Sequence, residues 1–349
     1  MLAGLGALAL GGCGARAGRG PDSDAEAAGL LDAVIGVDMH SHAAGANARR
    51  TPTYDLAERM RSGRMTAVCL QHPSDVPVTH RDAQNHVRVF REAEPGELWR
   101  STQSRLAWFD NLVKSQGLRR ALRRGDLETA HRDRVPAIVQ AIEGCQFMEG
   151  KLEHVAEVHR RGVRHLQLVH FMRSDLGDNQ TESPTQGGLT PLGRDVIAEC
   201  NRRGIVIDVA HGTLALVESA ARASRTPLIL SHTNLASRRL DPFTRLISAD
   251  HGKLVASTGG VVGIWAVPSF ASLAGYVEGV ARAAETLGVD HVGFGTDNGG
   301  LGKSQAVWSD YADFPVVVQL LRRAGFSAPD VGKLVGGNYV RVFNESVPA

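Results

Sequence analysis

The chain has 349 residues, of which 43% are hydrophobic and 22% are charged, an ordinary composition for a globular protein. The formal net charge is only +2, from 39 basic and 37 acidic side chains, so nothing in the charge balance indicates a nucleic-acid or anionic-membrane partner. The four cysteines form no Cys-x-x-Cys element, which argues against a disulfide framework. The length suits one large domain or two medium ones.

The first residues differ from the rest of the chain. Residues 1–20 are small and apolar and then rich in glycine, too short to span a bilayer as a helix but suited to the core of an export signal. The segment LGGC at residues 10–13 resembles the lipobox of bacterial lipoproteins, with Cys13 as the lipid-anchored residue. We therefore expect a signal segment and linker over residues 1–28 and one domain over residues 29–349. The protein would be exported, periplasmic or membrane-anchored; a cytoplasmic protein with a disordered tail is the alternative.

Eight short runs rich in Val, Ile and Leu follow, and each predicts a strand. In chain order they are Val34–His42, Thr66–His72, Ala137–Glu143, Val163–His170, Ile205–His211, Pro227–His232, Gly260–Trp265 and His291–Asp297. Longer amphipathic segments separate most of them and predict helices. These are one long helical region (Ala83–Phe90 with Trp99–Leu122), Leu152–Arg161, Pro191–Arg203, Leu214–Ala223, Asp250–Thr258, Gly275–Leu287 and Phe314–Ala324.

This alternation of apolar strands with helices is typical of a parallel sheet whose two faces are both covered. Eight such units in about 300 residues predict a closed (β/α)8 barrel of the TIM type. A doubly wound open sheet is the alternative. It is disfavoured because no Gly-x-Gly-x-x-Gly motif follows an early strand.

The ends of the predicted strands carry the functional information. All strands of a parallel barrel end at the same face, where catalytic groups collect. Five of the 14 histidines, together with one Glu and one Asp, stand at these ends: His40, His42, Glu143, His170, His211, His232 and Asp297. The joint occurrence of seven such groups predicts a metal site.

Chemistry suggests how such a site would work. Imidazole and carboxylate ligands together suit Zn²⁺ or a similar divalent ion. A carboxylate that bridges two ions is the usual core of a two-metal hydrolytic site, and Glu143, followed by the small Gly144, has the central place in the chain. Two ions would make hydroxide near neutral pH, and a carboxylate such as Asp297 could relay the proton.

These residues resemble the membrane dipeptidase (renal dipeptidase) family of the amidohydrolase superfamily. The resemblance runs from about residue 34 to residue 344. It is carried by Asp38-Met39-His40, Ile142-Glu143-Gly144, the segment from Gly162 to His170, the segment from Gly188 to Gly193, Asp208-Val209-Ala210-His211, Ser231-His232-Thr233-Asn234, the segment from His291 to Asp297 and Gly336-Gly337-Asn338.

The resemblance implies a role for each of these groups. His40 and His42 would hold one zinc ion, Glu143 would bridge two, and His211 and His232 would hold the second. His170 would contact the scissile carbonyl or the tetrahedral intermediate, and Asp297 would handle protons. Arg245 is the best match for the Arg that binds the substrate carboxylate, with Arg238 and Arg239 as competitors. Family members are often dimers, so a homodimer is also implied.

Two departures from the family pattern concern the substrate. The family has His-x-Asp on the first strand, whereas this chain has His40-Ser41-His42, which makes the site one charge less negative. The region between the first and third strands, including Gln71 to Asp75 and Thr79 to Asp82, matches the family poorly. Because this region contributes to the pocket, the sequence predicts hydrolysis more firmly than dipeptide specificity.

The function predicted from the sequence is that of a binuclear zinc hydrolase. It would cleave the amide bond of dipeptides or small N-acyl amino acids with a metal-bridged hydroxide. A lactonase or another amidohydrolase with the same metal core is one alternative, and a non-catalytic metal-binding surface lipoprotein is the other.

Overall fold

The computed structural model of the chain describes residues 29–44, 54–236, 244–302 and 304–349. The predicted signal segment with Cys13 lies outside these ranges, and so do Arg238 and Arg239. Export, the lipid anchor and the competing role of these two arginines therefore stay predictions.

The described residues form eleven strands. They are β1 (Val37–Ser41), β2 (Ala67–Pro73), β3 (Thr79–Arg81), β4 (Val87–Val89), β5 (Arg119–Arg120), β6 (Ala137–Glu143), β7 (Val163–Gln167), β8 (Val206–Asp208), β9 (Leu228–Thr233), β10 (Val261–Trp265) and β11 (Val292–Gly295). Eight of them pair in parallel in the order β2-β1-β11-β10-β9-β8-β7-β6, and a pairing of β2 with β6 closes the ring. The predicted (β/α)8 barrel is thus confirmed.

α-Helices lie between most of the strands in chain order, and three more follow β11. From residue 54 onward, the α-helices of the described residues are α1 (Leu56–Gly63), α2 (Glu97–Gln116), α3 (Asp126–Asp133), α4 (Glu153–Arg160), α5 (Pro191–Arg203), α6 (Leu214–Ala223), α7 (Ala249–Ser257), α8 (Leu273–Leu287), α9 (Phe314–Arg323), α10 (Ala328–Gly332) and α11 (Asn338–Ser346). In this part of the chain, each helix is too short or too polar to cross a lipid bilayer.

Helix α5 shows why local sequence predicts these elements well. The Thr190 hydroxyl accepts a hydrogen bond from the backbone N–H of Gly193 and caps the first turn, while Pro191 occupies the first helical position. The helix ends at Gly204, whose φ of 73° lies in the left-handed region that glycine adopts at low cost. Local chemistry therefore determines both ends of this helix.

The predicted helix over Ala83–Phe90 was wrong. This stretch is the turn and second strand of an antiparallel hairpin in which β3 pairs with β4. The Asp82 carboxylate accepts hydrogen bonds from the backbone N–H groups of Gln84 and His86, and Asn85 has a φ of 69°. An Asp that caps a turn in this way favours a hairpin over a helix. The hairpin stands beside the functional end of the barrel.

Candidate metal centre and active site

The structure brings together the seven residues that the strand ends singled out. His40 is the fourth residue of β1, Glu143 ends β6, and His232 is the fifth residue of β9. The other four lie one to three residues beyond the ends of β1, β7, β8 and β11: His42, His170, His211 and Asp297. All seven are at most 9% exposed. They converge on one point because the strands are parallel and end at the same face.

Glu143 lies at the centre of the cluster. Its Oε1 is 3.4 Å from Nε2 of His40 and 3.4 Å from Nε2 of His211. Its Oε2 is 3.4 Å from Nε2 of His42, and Oε1 is 3.7 Å from Nε2 of His232. One carboxylate therefore touches two pairs of imidazoles, one pair from β1 and the other from the ends of β8 and β9.

Each pair of imidazoles is compact. The Nε2 atoms of His40 and His42 are 3.2 Å apart, and those of His211 and His232 are also 3.2 Å apart. Two ligands bonded to one zinc ion at 2.0–2.1 Å and at a tetrahedral angle lie about 3.3 Å apart. The spacing of the donor atoms therefore fits ligands that share an ion. Buried groups that could hold a metal are His40–Glu143–His232, His40–His42–Asp297 and Glu143–His170–His211.

Ser231 orients two of these rings. Its Oγ is 3.0 Å from Nδ1 of His40 and 3.0 Å from Nδ1 of His232. A hydroxyl oxygen has two lone pairs and accepts an N–H from each ring, which leaves both Nε2 lone pairs directed at the centre. The chemistry of the donor set thus fits a bound metal ion.

Two buried aspartates hold the strand ends that carry the ligands. Asp38 accepts hydrogen bonds from the N–H and the hydroxyl of Thr296, at 2.9 and 2.6 Å, and ties β1 to the end of β11. Asp208 accepts from the N–H groups of Ala210 and Ser231, at 2.9 and 3.0 Å. Both aspartates lie in the motifs quoted above, but a motif does not reveal that their carboxylates bind backbone.

Two of the site residues have unusual backbone conformations. His211 has a φ of 66° and Asp297 a φ of 52°, in the left-handed region that non-glycine residues rarely adopt. The backbone N–H of Asp297 donates to the carbonyl of His40 at 2.9 Å, which holds this conformation. Strain of this kind is concentrated at functional sites, where surrounding structure imposes it.

Gly144 allows the chain to turn sharply after Glu143. It has a φ of 81°, and a Cβ at this position would lie 2.9 Å from the Cβ of His170. A larger residue would therefore be strained and would push His170 away from the centre.

The electrostatics keep the central carboxylate ionised. Burial alone would raise the pKa of Glu143, but the charges of His170 and His40 outweigh it and hold the pKa well below its usual range. Burial, followed by the charge of Arg245, lowers the pKa of His211 well below the ordinary value. Burial, followed by the charges of His40 and Arg245, does the same for His232. His211 and His232 are therefore neutral beside an ionised carboxylate, and these are the forms that bind metal.

His42 and Asp297 form the outer part of the cluster. The Nε2 of His42 is 3.3 Å from Oδ1 of Asp297, and the indole N–H of Trp265 donates to Oδ2 at 3.1 Å. Burial would lower the pKa of His42, but the hydrogen bonds that its ring donates to the carboxylates of Asp297 and Glu143 raise it to about 10. Trp265 orients the Asp297 carboxylate, a role that the sequence did not predict.

His170 has a partner that sequence reasoning missed. Its Nδ1 donates to Oδ1 of Asp75 at 2.7 Å, and the backbone N–H of Met172 donates to Oδ2 at 3.0 Å. Burial would lower the pKa of His170, but the charges of Asp75 and Glu143 raise it. Asp75 stands two residues after β2. Its position after a barrel strand was the only available signal, in a region that matched the family poorly.

The structure also places Arg245 beside the cluster. Its Nη2 donates to Nε2 of His232 at 3.0 Å, and its Nη1 donates to the side-chain oxygen of Gln180. Burial is the main cause that lowers the pKa of Arg245, to about 10, so the guanidinium stays cationic at neutral pH. Arg245, Glu143, His170 and Asp297 all line a cavity of about 920 Å³.

A closed (β/α)8 barrel with a buried imidazole–carboxylate cluster at the carboxyl ends of its strands defines a metal-dependent hydrolase. The family model described as membrane dipeptidase (peptidase family M19) matches residues 25–347. The chain therefore belongs to the membrane dipeptidase family, and its enzyme class is that of a metal-dependent dipeptidase.

Two fungal dipeptidases are similar in sequence. Dipeptidase aclJ of Aspergillus oryzae is 29% identical over 213 residues, which cover 58% of this chain and half of the Aspergillus protein. Dipeptidase tcpJ of Claviceps purpurea is 27% identical over 312 residues, which cover 85% of this chain and 71% of the Claviceps protein.

Two bacterial crystal structures have the same fold. The probable dipeptidase PvdM of Pseudomonas aeruginosa aligns with a TM-score of 0.76 at 18% identity, over 93% of this chain and 98% of PvdM. A metallopeptidase of Rhodobacter sphaeroides, liganded with a phosphinate mimic of the dipeptide L-Ala-D-Ala, aligns with a TM-score of 0.71 at 20% identity. That alignment covers 90% of this chain and 99% of the Rhodobacter chain.

Proposed function

We propose that the chain is a binuclear zinc dipeptidase that hydrolyses the amide bond of dipeptides or small N-acyl amino acids. The observation that carries the proposal is the position of Glu143, whose buried carboxylate lies 3.3–3.7 Å from the Nε2 atoms of five imidazoles: His40, His42, His170, His211 and His232. His40 and His42 would hold one ion, His211 and His232 the other, and Glu143 would bridge them. The dipeptide mimic bound to the Rhodobacter relative supports the substrate class.

The remaining residues supply the other requirements of amide hydrolysis. The bound ions would supply Lewis acidity and a hydroxide nucleophile near neutral pH. Asp297 would accept the proton of the attacking water and pass it to the leaving amine, with its Oδ2 held by Trp265. His170, which Asp75 orients through Nδ1, would donate from Nε2 to the developing oxyanion.

Arg245 would bind the substrate carboxylate. Its guanidinium faces the cavity from the β9 side, and a guanidinium can grip a carboxylate through two hydrogen bonds. An ion on Nε2 of His232 would take the lone pair to which Arg245 donates, and this N–H would then be available to the substrate.

We expect Arg245→Ala to lower kcat/KM for dipeptides by about tenfold or more, mainly through KM. The reason is the loss of a charge-assisted contact worth about 1.5–3 kcal/mol. Steady-state kinetics on one dipeptide would measure the change, with Arg222→Ala, an exposed arginine on α6, as the matched control. Kinetics of Arg245→Ala that equal those of the control would exclude this role.

We expect Asp75→Asn to lower kcat by about 10- to 100-fold, the usual effect of removing the partner that orients a site imidazole. The physical reason is that an amide in place of the carboxylate no longer favours the charged, correctly turned His170 ring. Metal content should stay at the wild-type level, because the Asp75 carboxylate binds His170 and the backbone of Met172, neither of which is a proposed metal ligand. Asp175→Asn, an exposed aspartate that follows β7, is the control. Unchanged kcat with lowered metal content would show that Asp75 supports the metal centre instead.

The proposed function is tested by elemental analysis and a substrate screen on one purified, metal-replete sample. Two zinc equivalents with turnover of dipeptides are the expected result. Turnover of lactones with no turnover of dipeptides would favour the lactonase. Two bound ions with no turnover on a broad panel would favour a metal-binding protein without catalysis.

A further inference from the structure

The cavity has cationic groups on two opposite sides. Arg245 follows β9, whereas Arg81, on β3, and Arg105, on α2, belong to the segment between β2 and β6. In the ring order β2-β1-β11-β10-β9-β8-β7-β6, β2 and β9 stand four strands apart, which is diametrically opposite in a barrel of eight. Arg105 belongs to the β2 side, because Thr102 on the same helix contacts His72 of β2 at 3.4 Å, whereas Arg81 contacts the loop after β11. A substrate whose carboxylate lies on Arg245 would extend its other half across the cavity toward Arg105.

Arg81 is held in place at the rim of the cavity. Its Nη1 donates to the backbone carbonyl of Asn85 at 2.8 Å and its Nη2 to the carbonyl of Gly300. These contacts tie the β3–β4 hairpin to the loop after β11. Burial is the main cause that lowers the pKa of Arg81, and the charges of Asp297 and Glu143 offset part of this shift.

Arg105 forms the deeper part of the same wall. Its guanidinium stacks on the ring of Trp108 at 3.9 Å, which fixes its plane, and both residues line the cavity. Burial is the main cause that lowers the pKa of His72, to about 3, and the positive charge of Arg105 is the second cause. A neutral His72 beside a cationic Arg105 leaves this wall positive at physiological pH.

In the described part of the chain, three arginines line the cavity. Among the described residues that line it, the carboxylates are Glu143 and Asp297 only, and the proposed function engages both in metal binding and proton transfer. Bound divalent ions would make the cavity still more positive. The wall opposite Arg245 therefore repels the α-ammonium group of an ordinary dipeptide and attracts an anion.

We propose that the acyl half of the substrate carries a carboxylate, so that the enzyme prefers substrates with two carboxylates: dipeptides with an acidic N-terminal residue or conjugates with a dicarboxylic acyl group. Arg105, assisted by Arg81 at the rim, binds this second carboxylate, and Arg245 binds the first. The proposal rests on the proposed function and narrows its substrate class.

Three alanine conjugates that differ in the acyl half test the proposal: Glu-Ala, its neutral isostere Gln-Ala, and glutaryl-Ala, which lacks the ammonium group. Each is offered with L- and D-alanine to the metal-replete enzyme. We expect kcat/KM for Glu-Ala to exceed that for Gln-Ala by about tenfold or more. If kcat/KM is higher for glutaryl-Ala than for Glu-Ala, the enzyme prefers dicarboxylic acyl groups. If it is lower, the enzyme prefers acidic dipeptides. Equal values for Glu-Ala and Gln-Ala would overturn the proposal.

Arginine variants test which side chain binds the second carboxylate. Arg105→Gln should reduce the ratio of kcat/KM for Glu-Ala over Gln-Ala to about twofold or less, and Arg81→Gln should reduce it by a smaller factor. Arg100→Gln, an exposed position on the same helix α2, and Arg88→Gln, an exposed position on β4, are the matched controls and should keep the wild-type ratio. An unchanged ratio in both Arg105→Gln and Arg81→Gln would contradict the assignment, and the comparison of substrates in the wild type stands even if one variant fails to fold.

A binding measurement separates this proposal from the proposed function. Calorimetric titration with the non-hydrolysable ketomethylene isosteres of Glu-Ala and Gln-Ala should show tighter binding of the former by about tenfold. Equal rates of hydrolysis for all dipeptides, with equal binding of the two isosteres, would overturn the preference for a second carboxylate. The proposed dipeptidase activity would still stand. Tighter binding of the acidic isostere without hydrolysis of any dipeptide would support the charged wall and overturn the proposed reaction.

Discussion

Glu143→Gln is expected to lower kcat/KM by about 10³-fold, equivalent to about 4 kcal/mol of transition-state stabilisation. The carboxylate of Glu143 contacts imidazoles of both proposed pairs, and because it is buried it cannot bind water instead. An amide has the same shape but carries no charge and offers one oxygen, so it can no longer bridge two cations. Bound zinc, measured by elemental analysis, should fall together with activity.

Glu153→Gln is the control for this variant, because Glu153 is an exposed acid on α4, shortly after β6. It should keep both metal content and kcat/KM. If Glu143→Gln kept two zinc equivalents and more than about a tenth of the activity, the bridging role would be wrong, and an assignment of both ions to imidazoles alone would have to replace it.

Asp297→Asn is expected to lower kcat by about 10²- to 10⁴-fold, the usual contribution of a positioned general acid or base. The asparagine keeps the side-chain shape and an oxygen near Trp265, but it cannot accept and return a proton. The four proposed imidazole ligands and Glu143 remain, so metal content should change little. Pre-steady-state and steady-state kinetics on the metal-replete variant would separate a slow chemical step from slow product release.

Asp290→Asn is the matched control for the proton-transfer variant. Asp290 precedes β11 and pairs on the surface with Lys333 at 2.7 Å, a contact of small energetic value because both side chains are largely exposed. If Asp290→Asn lowered kcat as much as Asp297→Asn does, the effect would be a general one on this part of the barrel. Loss of metal in Asp297→Asn would show that Asp297 is a ligand, as its position 3.3 Å from Nε2 of His42 also permits.

The barrel was predictable because its determinants are local. Residues 137–143 are apolar except for Gln140 and Glu143, and they form β6 with the bounds predicted from the sequence. Helix α6 was likewise predicted with its observed bounds, Leu214–Ala223. Periodicity and capping specify such elements residue by residue, and parallel strands separated by helices then have few ways to close. Because parallel strands of a barrel all end at one face, the residues that cluster there could be identified from the sequence alone.

The surroundings of the cluster were not predictable in the same way. Asp75 meets His170 across 95 residues of chain, and Ser231 meets His40 across 191. Nothing in the local sequence of either partner indicates these contacts, because they arise only when the barrel closes. The turn at Asp82 shows a second limit. The hydrogen bonds from Gln84 and His86 to its carboxylate outweighed the helical preference that composition suggested for Ala83–Phe90.

Local sequence patterns specified the eight-stranded barrel, the family and the set of side chains at its functional end, since each depends on periodicity and on where strands end. Only closure of the barrel set the distances of these side chains from Glu143, the groups that orient them and the residues that line the cavity. It placed Arg105 on the β2 side of the cavity and Arg245 on the opposite, β9 side, a relation that depends on the order of strands around a closed ring. Distances between residues far apart in the chain are set by closure and packing, and no local pattern encodes them.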